Sequence, residues 1–456
     1  MSAAGPPQGA NCTPAGGSAA AEPQAWGDPT SAAGPPQGAN CTPAGGSAAA
    51  EPQAWGDPAS ADPPLTGIRV LDLTRLLPGP MCTLYLADLG ADVIKIEDTA
   101  AGDYARSLAT SPGGSAMRMS AWYRAINRNK RSLAVDLKHA DGHAAFVALA
   151  RSADVIVEGF RPGVVRALRV DHEAIRAINP RIVYCSLSGY GQSGPRAVEA
   201  GHDVNYLGYA GVLEYTGTRG GAPALANLQI ADLLGGAASA AIGILGALFG
   251  ALRHGQGRYV DVAMADAVLA HQVFALGAFE DTGHVEARGD DLLTGGVPCY
   301  GVYETRDGGF LAVGALESKF WRRLCDALGR PDLIPLQLAR GDEGERARDA
   351  LAAIFRTRTR DEWRVRFASV DCCVTPVLSF AEALGDPQFA ARGMVLRRPD
   401  GTRQYAPPFK LSPSSFAVRR DAPRHGEHTD EVLREAGFDA RAIDALVRER
   451  VVRRAS

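Results

Sequence analysis

The residues best suited to chemistry lie in one stretch, Gly201 to Gly250. It opens Gly201-His202-Asp203-Val204-Asn205-Tyr206, with an imidazole beside a carboxylate. A second carboxylate, Asp232, follows thirty positions after His202, just before Gly235-Gly236 and a run of small residues. An imidazole titrates near neutrality and can give or take a proton. Asp232 stands where the pattern starts a helix. Such a start offers unpaired N–H groups and about half a positive charge, which suit a developing oxyanion. A plainer reading makes Asp232 an N-cap and His202 a hydrogen-bonded core histidine. The residues alone leave both open. His202 and Asp203 lack the spacing of a ligand cluster, so no metal is expected.

The elements that must position this stretch alternate. Ile68–Thr74 reads as a buried strand, Pro78-Gly79-Pro80 as a break, Met81–Leu89 as a helix closed by Gly90, and Asp92–Glu97 as the next strand. Gly102–Asn129 is irregular and basic. Further strands are expected at Leu133–Leu137, Asp154–Glu158 and Ile182–Leu187, with helices at Asp141–Arg151 and His172–Ala177. This alternation predicts a Rossmann-like parallel α/β sheet. Gly189-Tyr190-Gly191-Gln192-Ser193-Gly194 fits G-x-G-x-x-G after a strand, but Pro195 follows and no apolar helix opens, so a dinucleotide site is not expected. Leu233–Leu252 reads as a helix buried in protein, and Arg258–Met264 as a strand or helix entry. Cys299–Thr305 and Gly309–Val313 alternate about Arg306-Asp307-Gly308, which marks a smaller α+β domain with helices at Ser318–Leu328 and Glu345–Thr357. Thr429–Val452 reads as helix packing back on the first domain. The expected divisions are residues 1–61, a large domain 62–264, a linker 265–297, a small domain 298–391, and a return segment 392–456.

The chain has 456 residues, 46% hydrophobic, and a net charge of −3. That is enough for two cores and gives no global electrostatic case for nucleic acid. Eight cysteines with no C-x-x-C pair, and no signal-like start, suggest a reduced, cytoplasmic setting without a membrane anchor. Ser2–Pro29 recurs as Ser31–Pro58 and is rich in Gly, Pro, Ala and Ser. With so few large aliphatic residues it is expected to stay disordered.

Several segments together resemble the family III CoA-transferase superfamily. The shared ones are Gly67–Leu73, Leu89–Glu97, Asn127–Ser132, and Asp232 with its glycines. Within that superfamily, Ala200–Tyr206, Leu293–Tyr300 and Val313–Phe320 are similar to the α-methylacyl-CoA racemases. The resemblance runs from about Pro64 to Val452. It implies a large and a small domain and an interlocked homodimer whose active site draws on both subunits. It also implies that His202 and Asp232 are the acid/base pair, with Glu317 the carboxylate partnering the histidine. Leu76, the segment Val135, Asp136, Leu137 and Lys138, the segment Gly159, Phe160 and Arg161, and Gly201 with Asp203, Val204, Asn205 and Tyr206 are implied to contact CoA. Two departures stand out: Asp98 replaces a basic residue, and Arg166 precedes the usual arginine position, here Ala167. Arg106 is a candidate phosphate contact.

Inverting a carbon beside a thioester requires removing a proton on one face and returning one on the other, hence two flanking groups. Glu317 would orient the imidazole, and amides at and after Asp232 would serve the enolate. Coenzyme A is then part of the substrate, and no separate cofactor is needed. The alternative is CoA transfer with Asp232 as nucleophile, through an aspartyl-CoA thioester. A silent acyl-CoA-binding protein is a third possibility, disfavoured by the retention of His202, Asp232 and Glu317 together. Because the duplicated segment lies outside the resemblance, deleting Met1–Ala61 should leave the melting temperature unchanged; a large drop in a thermal-shift assay would make it structural.

Overall fold

The computed structural model describes residues 62–108, 119–412 and 416–455. The duplicated segment and its expected disorder lie outside these residues, as does 109–118 of the basic loop.

The large domain begins with strand β1 (Arg69–Leu73), helix α1 (Pro78–Asp88), strand β2 (Asp92–Glu97), helix α2 (Ala121–Ile126) and strand β3 (Lys130–Val135). Then come α3 (Ala140–Ala150), β4 (Val155–Glu158), α4 (Val164–Ala167), α5 (His172–Ile178), β5 (Val183–Ser188), α6 (Asp203–Tyr209) and α7 (Val212–Tyr215). A π-helical segment, Ala231–Ala238, runs into α8 (Ser239–His254), followed by β6 (Tyr259–Ala263), α9 (Met264–Ala270) and α10 (Val273–Thr282). The sheet has the order β3-β2-β1-β4-β5-β6, all parallel, with Leu71 opposite both Ile94 and Ile156. Parallel strands are covered on both faces, so their apolar residues sort by pleat parity. Val70, Val93, Val155 and Val183 join one core with α1, α8 and α9. Leu71, Ile94, Leu133 and Ile156 join the other, with α3 and α5. Fully burying each such side chain is worth about 1.5–3 kcal/mol.

The small domain is a three-stranded antiparallel sheet, β7 (Tyr300–Glu304), β8 (Phe310–Gly314) and β9 (Val374–Pro376). It carries α11 (Ser318–Leu328), α12 (Gly341–Phe355) and α13 (Arg360–Phe367). Its core is aromatic: Trp363 stacks on Phe367 at 5.3 Å and meets Phe355 edge-on. After it come α14 (Phe380–Leu384), α15 (Pro387–Ala391), a short hairpin of β10 (Val395–Arg397) and β11 (Arg403–Tyr405), then α16 (Thr429–Glu435) and α17 (Ala440–Arg448).

Several expectations need correcting. Pro78-Gly79-Pro80 is the first turn of α1, not a break. Proline is tolerated there because those amides have no intrahelical partner to lose. The third strand starts at Lys130, before the apolar run, because its polar residues are buried in ion pairs. The terminal segment is two helices and a last strand, β12 (Val452–Arg453), which adds antiparallel to β3. The expected linker 265–297 contains most of α9 and all of α10. One helical run, Ala231–His254, is long and apolar enough to cross a bilayer; its Ala240, Ile244, Ala247, Leu248 and Ala251 are buried in the first core. The six described cysteines are all unpaired.

A buried charge network ties the central strands together. Lys130 Nζ lies 3.2 Å from Asp72 Oδ2, and Lys95 Nζ lies 2.9 Å from Asp103 Oδ2, with all four side chains wholly buried. Arg106 pairs with Glu97 at 2.6 Å. Burial alone would raise the Glu97 pKa, but the Arg106 hydrogen bond and the Lys95 charge outweigh it and hold the carboxyl at about 2. Glu97 therefore contributes stability that is present above its unfolded pKa, near 4.5, and is lost as pH falls toward about 2. Glu97→Gln should remove that contribution and strand a buried guanidinium, costing about 3–5 kcal/mol in urea unfolding at neutral pH. A loss under about 1 kcal/mol would show that the pair adds no more than an exposed one.

Candidate active site

His202 precedes α6 with an extended backbone, and its N–H donates to Asn205 Oδ1 at 3.0 Å. The neighbouring carboxylate reaches across to the second catalytic candidate. Asp203 Oδ1 accepts from the N–H groups of Ala231 at 2.7 Å and Asp232 at 3.1 Å. A carboxylate at a helix start satisfies amides that have no intrahelical partner. The side chain beside the histidine thus caps the helix that bears Asp232, and two segments distant in sequence are fixed to each other.

That helix starts as a π-helix, a rare wide turn that is frequent at functional sites. It is pressed between neighbours that require glycine. A Cβ on Gly235 would lie 2.8 Å from the Met264 carbonyl oxygen, and one on Gly236 would lie 2.9 Å from Pro78 Cβ. Tyr206 forms the other wall. Its hydroxyl donates to Gly201 O at 2.5 Å, and its ring meets Tyr190 edge-on at 5.1 Å. A Cβ on Gly189 would lie 2.3 Å from that ring. The first glycine of the G-x-G-x-x-G run therefore makes room for Tyr206.

Asp232 is half-buried. Burial is the largest influence on its pKa and pushes it up, the Asp203 charge adds to this, and His202 opposes; the result is about 6. Tyr206 is pushed up to about 12, first by burial and then by the Asp232 charge. The two effects place His202, Asp203, Tyr206 and Asp232 in one electrostatic cluster. Burial and the Asp203 charge together outweigh the lowering by His202.

Other expectations change here. Asp232 is not an N-cap; it is the second residue of its helix, and Asp203 does the capping. The amides expected to serve an enolate are engaged: Ala231 and Asp232 donate to Asp203, and Leu233 donates to Gln229 O. Asp203, Asn205 and Tyr206 thus hold the site together, while Val204 is exposed. Arg106 is not free for phosphate. Its donors go to both Glu97 oxygens, Pro423 O and the Tyr123 hydroxyl, and its guanidinium lies 4.0 Å from the Tyr123 ring centre.

The remaining candidates gather at the C-terminal ends of the strands. Val135 ends β3; the Asp136 N–H donates to Val451 O, and Asp136 Oδ1 accepts from the Lys138 N–H at 2.9 Å. Leu137 packs on the second core, and Lys138 is exposed. Gly159 follows β4, the Phe160 N–H donates to Glu158 Oε2 at 2.8 Å, and exposed Arg161 is close enough to lower the Tyr206 pKa. Leu76 follows β1, with its N–H on Asp103 Oδ1 at 3.0 Å. In this strand order the topological switch lies between β1 and β4, where open α/β sheets bind ligands. Arg166 lines a cavity of about 440 Å³ with His172, Ser186 and Tyr259. Asp98 pairs with Arg75 at 3.3 Å, and Arg75 lies 5.6 Å from the Phe160 ring centre. Arg75 is the cation at this crevice that sequence reasoning missed; its position just past the first strand was the available signal.

Glu317 is exposed at the start of α11, in the small domain. Its electrostatic neighbour is the Cys373 thiol, and no described hydrogen bond or ion pair joins it to His202.

Asp203→Asn keeps an oxygen that can accept from both amides but removes the charge that helps hold the Asp232 carboxyl up. The Asp232 pKa should fall below about 6 in a ¹³C NMR titration; an unchanged value would remove Asp203 from the cluster. Asp203→Ala also removes the cap and should cost about 0.5–2 kcal/mol of stability.

Comparison with known proteins gives the family. Residues 65–429 match the model of CoA-transferase family III. The chain is 36% identical over 391 residues to the α-methylacyl-CoA racemase of Homo sapiens, covering 85% of this chain and 97% of that protein. It is 35% identical over 389 residues to the succinate–glutarate CoA-transferase of Agrobacterium fabrum, covering 82% and 95%. A CAIB/BAIF family protein from Brucella suis, known from its crystal structure, superposes with a TM-score of 0.72 at 28% identity, over 82% of this chain and all of that one. With the switch-point crevice, the capped π-helix and the His202–Asp232 cluster in place, the chain belongs to CoA-transferase family III.

Proposed function

We propose that this protein racemises 2-methylacyl-CoA thioesters by two-base proton transfer. The observation that carries the reading is the Asp232 carboxyl, held at about 6 close to His202. A carboxyl with such a pKa is available both as acid and as base near neutral pH. Neutral His202 takes the α-proton from one face and becomes imidazolium. The electron pair passes to the thioester oxygen as an enolate. Protonated Asp232 returns a proton to the other face and becomes carboxylate. The opposite enantiomer runs these steps in reverse. Coenzyme A enters and leaves as part of the substrate, its polar end held by the loops around Lys138 and Arg161.

The reading includes a homodimer. Ile242, Phe249, Val273, Phe274, Leu276 and Phe279 are each more than half exposed along α8 and α10. An apolar surface of this kind calls for a cover. A second copy would provide it and would bring its own Glu317 to the imidazole, a reading in keeping with the exposed position of that residue.

CoA transfer is the second reading. The transferase among the relatives supports it, and Asp232 would then attack the acyl-CoA as a carboxylate. The two readings predict different pH behaviour. Proton inversion needs one proton shared between two groups, so kcat/KM should be bell-shaped and equal for both enantiomers, with one limb near pH 6. A nucleophilic Asp232 should give activity that rises through about 6 and then stays level.

The deciding experiment is incubation of the protein with one enantiomer of a 2-methylacyl-CoA in heavy water, read by NMR. Deuterium should enter at the α-carbon and the opposite enantiomer should appear, without an acceptor acid. His202→Ala should lower the rate by about 10²–10⁴. A CoA-sized adduct on the peptide carrying Asp232, absent in Asp232→Asn, would replace this reading with the transferase.

A further inference from the structure

The cavity of about 440 Å³ that Arg166 lines lies over β5 and β6, whereas the switch-point crevice lies between β1 and β4. Its floor follows from the strand register. Tyr184 stands opposite Tyr259, and two residues further on Ser186 stands between Glu158 and Asp261. Side chains two apart share a face, so an aromatic row is followed by a polar row. The aromatic row offers ring faces rather than hydroxyls. The Tyr184 hydroxyl donates to Val170 O at 2.9 Å, and that of Tyr259 donates to Ser186 Oγ at 3.0 Å. His172 lies 5.0 Å from the Tyr259 ring centre, with the planes 32° apart. Burial, and then Arg176, hold its pKa below the usual histidine range, so this wall is uncharged at neutral pH.

The polar row is short of partners. Among the described residues, four buried side-chain polar atoms make no hydrogen bond, and three of them stand here: Glu158 Oε1, Ser188 Oγ and Gln192 Nε2. The fourth, Asp103 Oδ2, is paired with Lys95. Glu158 is 1% exposed, and its Oε2 accepts from the Phe160 N–H. Its charge raises the pKa of both Tyr184 and Tyr259, which puts the carboxyl beside the aromatic row. Gln192 lines the cavity, with its backbone N–H held by Asp261 Oδ2 at 3.1 Å. Buried polar groups are seldom left unpartnered, and a buried carboxyl without a counter-ion is costly. The surrounding charge points the same way. Asp171 and Glu173 line the cavity and Asp261 flanks it, against one cation, Arg166, which is exposed to water.

We propose that this cavity binds a small primary amine as its ammonium ion. An ammonium N–H bonds Glu158 Oε1, and the charge rests against the faces of Tyr184 and Tyr259, as cations do on electron-rich rings. A hydroxyl next to the nitrogen accepts from Gln192 Nε2. An amino alcohol has all three features. A quaternary ammonium ion has no N–H and leaves Glu158 Oε1 unpartnered. The site is distinct from the crevice assigned to CoA.

The test uses the full chain, ethanolamine as the probe, and calorimetry at neutral pH. Wild type should bind ethanolamine saturably, with or without CoA present, and should bind tetramethylammonium more weakly. Glu158→Gln keeps an acceptor for the Phe160 N–H but removes the charge, and should weaken ethanolamine binding about tenfold or more. Tyr259→Leu removes a ring face on the edge strand and should weaken it about threefold to tenfold; it decides the matter if Glu158→Gln does not fold. Absence of saturable ethanolamine binding by wild type would overturn the proposal. So would unchanged affinity in either variant, or tetramethylammonium bound as tightly as ethanolamine. Displacement of ethanolamine by CoA would overturn it too, by making the cavity part of the CoA crevice.

Discussion

Two buried lysines, Lys95 within β2 and Lys130 at the start of β3, set the constraint on which the rest depends. Lys95 and Lys130 are completely buried, and each has a carboxylate partner and a backbone carbonyl. A buried charge is tolerable only with such compensation. Asp72, which burial alone would push up, is held well below the usual carboxylate range by Lys130 and Lys95. The cost of leaving any member unpaired fixes the relative positions of β1, β2, β3 and the loops above them. The turn carrying Leu76 and the start of α1 inherit that rigidity.

The site uses the same device at a smaller scale. Asp203 spans two segments with one carboxylate oxygen, and the helix it caps carries Asp232. The cap does two things at once: it satisfies the helix amides, and it adds a negative charge beside a half-buried carboxyl, which keeps Asp232 near neutrality. The π-helical turn and its glycines let α1 and α9 press close, so that the carboxyl stays partly dry. Position and protonation state therefore share one cause. For a reaction that needs an acid and a base of matched strength, this coupling is the useful property.

The first turn, between β1 and α1, also departs from that of a dinucleotide-binding sheet. The strand order supplies the switch point, but the first turn withholds the amides and glycines that a pyrophosphate would require. The glycine-rich run after β5, which looks like a nucleotide motif, instead gives space to Tyr206. Fold and motif both suggest a glycine loop cradling phosphate here, and local packing puts those glycines and amides to other uses.

Much was legible in the sequence because its cause is local. Strands with apolar residues on both pleats, separated by helices, leave little but a parallel sheet, and the alternation about Arg306-Asp307-Gly308 marks the small domain. His202 and Asp232 stand out through residue type and their glycine neighbours. What remained hidden depends on contacts across the chain. Lys130-Arg131-Ser132 reads as polar loop because only its distant partners make it buried strand. Asp203 reads as a ligand contact until the helix it caps is beside it. Arg106 reads as a free cation until Glu97 and Tyr123 surround it. The pKa of Asp232 had no sequence answer, since desolvation is set by what packs around a group. Sequence fixes which groups are present and their local geometry; tertiary packing decides which charges are paired, dry or shared, and hence their chemistry.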